Sequence, residues 1–149
     1  MPTRTARTAR TAWKGTLEQG SGQVELSSSH VGTYDVSFPK RAAEDADHTT
    51  SPEELVAAAH SSCYAMQLSA LIAQAGGTPR VLDVQADVSL GPDGTGGFRL
   101  TGIALTVRGE AEGLDADGFA TAAHDAKDSC PVSRALTGVD ITLDAALEG

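Results

Sequence analysis

Residues 50–69 read TSPEELVAAAHSSCYAMQLS, a segment with the marks of a helix start, a long helical body and a cysteine at its middle. Ser51 suits a helix N-cap, Pro52 the first helical position and Glu54 the third, together a capping box. The helical pattern runs to about Ala75, where Gly76-Gly77 supplies a stop. Leu55, Ala59, Cys63, Met66 and Ala70 recur at helical spacing and form the expected apolar stripe. Ala57, Ala58, Ser61 and Ser62 are small enough to let another backbone approach closely. A long central helix carrying a cysteine is therefore expected.

On both sides the pattern shifts to period two. Upstream, Trp13 and Leu17 precede a turn at Gln19-Gly20-Ser21-Gly22. Val24 and Leu26, then Tyr34, Val36 and Phe38, alternate with polar neighbours until Pro39, which predicts a β-meander. Residues 40–50, KRAAEDADHTT, read as a polar loop. Downstream, Val84, Ala86, Val88 and Leu90 mark a half-buried strand, and residues 91–97 a hairpin connection. Phe98 and Leu100 keep one phase while Ile103, Leu105 and Val107 keep the other, which predicts a β-bulge at Gly102. Phe119, Ala122, Ala123 and Ala126 stripe a second helix over 116–128. PVSRAL at 131–136 predicts a short helix ended by Gly138, and Val139, Ile141, Leu143 and Ala145 a last strand. The fold class is α+β with mainly antiparallel sheets.

The 149 residues suit one domain, expected at 13–149, behind a flexible basic arm at 1–12 built on an R-T-A repeat. The net charge is -9, and Arg4, Arg7, Arg10 and Lys14 all precede the first acid, Glu18. The body that follows is strongly acidic and should be repelled by nucleic acid phosphates. No apolar run is expected to approach the roughly 18 residues of a membrane span. The opening MPTRTARTARTAWKG has no apolar stretch that would serve as a secretory signal, so a cytoplasmic setting is expected. In a reducing compartment two cysteines point to catalysis, redox cycling or metal binding rather than to a permanent staple.

Those cysteines are Cys63 and Cys130. A thiol attacks a peroxide or disulfide as the thiolate, and a free cysteine with pKa about 8.5 needs a positive neighbour. Lys40 and Arg41 are the nearest upstream candidates, and a guanidinium can hold both a thiolate and a peroxide oxygen. Glu53 or Glu54 would anchor it. Glu53 lies ten positions before Cys63, about 15 Å of rise on a straight helix. Arg41 must bridge that gap, the helix must break, or Glu53 must come from a second copy of the chain. A site shared across a homodimer is expected. Cys130 sits before the PVSRAL helix, whose dipole favours a thiolate, and can serve as the resolving thiol.

The segments TSPEELVAAAHSSCYAMQLS at 50–69, ADVSLGPDGTGGFRLTGIAL at 86–105 and DSCPVSRAL at 128–136 resemble the family of osmotically inducible protein C and the organic hydroperoxide resistance proteins. The resemblance runs from Trp13 to Leu147, and His60 and Val132 are more similar to the osmotically inducible branch. It implies an intertwined homodimer and a thiol-dependent peroxidase for organic hydroperoxides, or for hydrogen peroxide. It implies Cys63 as the peroxidatic and Cys130 as the resolving cysteine, joined in a disulfide. Arg41, with Lys40 as the alternative, takes the place of the catalytic arginine, anchored by Glu53. An external dithiol, of lipoyl type in relatives, restores the thiols, and no bound cofactor is implied. Phe38, Tyr64 and Met66 are candidates for an apolar pocket or for the core.

Two other readings have distinct signatures. His60, Cys63, His124 and Cys130 would make a zinc site if they converge. Buried, inert cysteines would instead fit a non-enzymatic osmotic-stress or ligand-binding protein. His30 and His48 read as loop residues.

Overall fold

The computed structural model describes residues 4–149. The chain forms two compact units, one running to Pro52 and the other from Glu53 to Gly149. The break falls inside the stretch read as one domain, at the start of the cysteine-bearing helix.

The first unit is a three-stranded antiparallel meander of β1 (Arg10–Lys14), β2 (Ser21–Glu25) and β3 (Thr33–Val36). Trp13 faces Gly22 and Val24 faces Tyr34. Strand pairing begins at Arg10, Thr8 N–H donates to the Ser28 hydroxyl, and Ser28 N–H donates to the Thr8 carbonyl. Residues 1–3 of the expected arm lie outside the described residues. Phe38–Arg41 form a one-turn helix, α1, where a strand end and a loop were expected. The reason is local: the Ser37 hydroxyl caps the Lys40 amide, and Pro39 begins a helix here rather than ending a strand. In the loop that follows, Asp47 and His48 adopt positive φ, and Asp47 pairs with Lys40 at 3.2 Å.

The second unit opens with α2 (Pro52–Gln74), which keeps both expected ends. Gly76 at φ +91 lets the chain turn left-handed, with Gly76 N–H donating to Ala73 and Gly77 N–H to Ile72, a Schellman stop. The buried face is not the expected one. Glu53, His60, Tyr64, Leu68 and Ile72 point inward, while Ala59, Met66 and Ala70 are exposed. Apolar or small residues surround this helix, so periodicity alone did not select a face; the bulkier Tyr64, Leu68 and Ile72 did. By length and composition α2 is also long and apolar enough to cross a membrane. That corrects the expectation that no run approaches a span. Its buried face nonetheless packs into this chain's own core.

β4 (Thr78–Pro92) and β5 (Phe98–Glu112) form a long antiparallel hairpin. Ser89 pairs Gly102 and Leu90 pairs Leu100, so Thr101 is the extra residue of the bulge, one place before the glycine expected to hold it. β6 (Ile141–Leu147) lies parallel to β5, which requires the crossover made by α3 (Ala116–Ser129) and α4 (Pro131–Ala135). The core joins Ile103, Leu105 and Val107 of β5 to Tyr64, Leu68 and Ile72 of α2 and to Phe119, Ala122, Ala123 and Ala126 of α3. The stripe expected on α3 is the one observed.

Candidate active site

Core packing of α2 and α3 brings the two cysteines together. The Tyr64 hydroxyl donates to the Ala123 carbonyl at 2.8 Å, and Gln67 Nε2 donates to Ser129 Oγ at 2.8 Å. Next to these ties, Cys63 beside Tyr64 and Cys130 beside Ser129, the two Sγ atoms lie 3.2 Å apart as free thiols. Cys63 is partly exposed, whereas Cys130 is fully buried. Cys130 sits at the junction of α3 and α4, where α4 presents its first amides.

That position divides the two thiols electrostatically. Burial pushes the Cys63 thiol up, the Val132 amide opposes it, and neighbouring Cys130 adds to the rise, so the net direction is upward. Burial also acts upward on Cys130, but the Ser133 amide, the Cys63 thiol, the Ser133 hydroxyl and the Val132 amide together outweigh it. Cys130 is therefore drawn down, as expected for a sulfur facing a helix start. Within this unit Cys130 is the readier anion and Cys63 the more accessible sulfur. Tyr64 is held protonated, through burial first and the proximity of Cys130 second.

Behind the sulfurs lies a polar contact that the sequence did not join: His60 stood out only as a zinc-ligand candidate and a marker of the branch, and Ser133 not at all. His60 Nε2 is 2.7 Å from Ser133 Oγ, with both side chains buried. Ser133 lies three residues after Cys130, and His60 three before Cys63; that paired spacing was the available signal. Burial lowers the His60 pKa and keeps the ring neutral.

The other expected site residues fall as follows. Glu53 is in the first turn of α2 and 8% exposed. Since α2 is unbroken to Gln74, a helix break between Glu53 and Cys63 is ruled out. Arg41 is the last residue of α1, in the first unit. Tyr64 is core, and Met66 is 73% exposed rather than packed. The zinc set of His60, Cys63, His124 and Cys130 does not assemble. His60 is engaged by Ser133 and His124 is exposed on α3. Among the described residues no three His, Cys, Asp or Glu side chains converge as metal ligands.

An α+β chain with a thiol pair seated between a long helix and a helix start defines a narrow class. The model of the OsmC-like protein family matches residues 44–144, and the chain belongs to that family. It is 38% identical to Peroxiredoxin OsmC of Escherichia coli (strain K12) over 136 residues, 91% of this chain and 92% of that protein. The crystal structure of the organic hydroperoxide resistance protein OhrB of Bacillus subtilis matches with TM-score 0.73 and 26% identity. That match covers 93% of this chain and 97% of the other. An organic hydroperoxide resistance protein from Elizabethkingia anophelis matches with TM-score 0.75 and 25% identity, over 99% of this chain and 100% of that one.

Proposed function

We propose that the chain reduces organic hydroperoxides, with Cys63 as the attacking and Cys130 as the resolving thiol. The observation that carries this reading is the 3.2 Å approach of a partly exposed sulfur to a buried one. The enzyme is a cysteine-based peroxidase, in keeping with relatives named as a peroxiredoxin and as organic hydroperoxide resistance proteins.

A peroxide reaches Cys63, because Cys130 is shut away from solvent. Cys130, the readier anion, accepts the Cys63 proton as Cys63 attacks the O–O bond. The leaving alkoxide takes that proton and departs as an alcohol, and Cys63 becomes a sulfenic acid. Cys130 then condenses with it to a disulfide, which an external dithiol of lipoyl type reduces. On this reading the role of Arg41 is to stabilise the negative charge that develops on oxygen, and that of Glu53 to anchor the guanidinium, as the family resemblance implies. Lys40 is the weaker candidate, since its ammonium pairs with Asp47. Glu53 and Cys63 stand about 15 Å apart along one helix, so Glu53 acts through Arg41 or from a second protomer. The exposed small-residue face of α2 supports a homodimer. The reaction needs no bound cofactor, and a reducing cytoplasm suits it.

Free thiols counted before and after one equivalent of cumene hydroperoxide test this reading. Loss of both thiols within seconds, without a covalent dimer on a non-reducing gel, is the expected result. Retention of both would overturn it.

A further inference from the structure

Four side chains run in series from the core to the partly exposed thiol. His60 Nε2 lies 2.7 Å from Ser133 Oγ, Ser133 is the third residue of the helix that Cys130 begins and its hydroxyl helps draw the Cys130 thiol down, and Cys130 Sγ lies 3.2 Å from Cys63 Sγ. His60 is 0% and Ser133 5% exposed, so water does not complete these bonds. His60 Nδ1 is buried and finds no hydrogen-bond partner among the described residues.

The orphaned nitrogen fixes the direction of the series. A neutral imidazole carries one N–H. On Nδ1 that hydrogen would be a buried donor with no acceptor, which is rarer and costlier than a buried acceptor left empty. On Nε2 it is used, against Ser133 Oγ. The Ser133 oxygen then accepts from His60, which leaves the Ser133 hydrogen available to the neighbouring Cys130. We propose that His60, acting through Ser133, is a positioning residue for the resolving thiol: Nε2–H donates to Ser133 Oγ, and Ser133 O–H donates to Cys130 Sγ and stabilises the attacking anion. This rests on the peroxidase reading, since only there does Cys130 attack a sulfenic acid.

In that step the Cys130 sulfur gives an electron pair to the Cys63 sulfur. The S–S bond forms, the Cys63 S–O bond breaks, and hydroxide leaves to become water with a proton from solvent. The peroxide has already supplied the oxidation. Among the described residues, Cys63 of α2 and the Val132 and Ser133 groups of α4 favour the Cys130 anion, and the proximity of Cys130 in turn raises Tyr64 of α2.

Ultraviolet thiolate absorbance against pH, in a Cys63→Ser background, reads Cys130 alone and needs neither peroxide nor reagent access. Ser133→Ala is expected to move the midpoint upward, so that the thiolate fraction at neutral pH falls about tenfold, the size of one lost charge-assisted bond. His60→Leu is expected to act in the same direction, and His60→Gln, which keeps a side-chain N–H, to recover part of the shift. A purely structural role would lower the melting temperatures and leave the midpoint in place; an unmoved midpoint in folded Ser133→Ala overturns the proposal. Nitrogen NMR of the unsubstituted reduced protein decides the matter if the variants do not fold. The Nε2–H tautomer at His60 is expected, and the Nδ1–H tautomer or an imidazolium overturns the donor series. The expected midpoint shifts without peroxide turnover would support the series and sink only the peroxidase reading.

Discussion

Cys63 and Cys130 are 67 residues apart in sequence and 3.2 Å apart in space, and only one of them is open to solvent. This asymmetry assigns different fates to two substitutions. Cys63→Ser is expected to abolish peroxide consumption, because the remaining thiol is buried. Cys130→Ser is expected to consume one peroxide per chain and then stop, with a sulfenic acid left at Cys63 for trapping by dimedone. Single-turnover stoichiometry, read by peroxide assay and mass spectrometry, checks both. Steady turnover in either variant with a dithiol reductant would contradict the division of roles.

Burial lowers the His60 pKa below its ordinary value of about 6.5, so protonation opposes folding. The unfolded chain takes up this proton at higher pH than the folded one. The stability contributed by the neutral ring is therefore fully present above about pH 6.5 and is lost as pH falls toward the folded value. Urea denaturation at about pH 7 and about pH 5 is expected to show this loss, and His60→Gln to reduce it. Equal acid sensitivity in the variant would place the effect on other groups.

Much of this was legible because capping chemistry is local. Ser51-Pro52 and Gly76-Gly77 bracket α2 by their own backbone preferences, and the stripe of α3 has polar residues on every other side. The buried face of α2 was not legible, since alanines and serines line its whole circumference and tertiary packing made the choice. Alternation in β6 marked a strand without stating its direction, so its parallel pairing with β5 came from the crossover. At the site, the two thiols stood out by type, and Cys130 was expected at a helix start. The contact of His60 with Ser133 spans 73 residues and depends on α2 meeting α4, which no local pattern encodes.

Met66 is 73% exposed on a helix face that also leaves Ala58, Ala59, Ser62 and Ala70 in the open. An exposed run of small and apolar residues on a long helix suits packing against a second copy. The protein is expected to sediment as a dimer, and Met66→Asp to shift it toward monomer by placing a charge in that contact. Analytical ultracentrifugation across a dilution series checks this. A wild-type monomer at every concentration would remove the shared-site explanation of how Glu53 serves the thiol.

Gly109 lies on the buried phase of β5, directly beneath Phe119 of α3. A Cβ there would come within 2.8 Å of Phe119 Cζ and 3.0 Å of Leu82 Cδ2. The ring is fully buried and cannot swing aside, so Gly109→Ala must push α3 away from the sheet. Overpacking of this kind costs about 1–3 kcal/mol. Because α3 leads directly into Cys130, the displacement should also open the thiol pair and slow disulfide formation. Phe119→Leu shortens the opposing side chain, and in combination with Gly109→Ala it should recover part of both losses. Thermal melts and the rate of disulfide closure after a peroxide pulse measure the two effects separately. Strictly additive costs in the double variant would show that the clash is relieved elsewhere and that Phe119 does not set the height of α3 above β5.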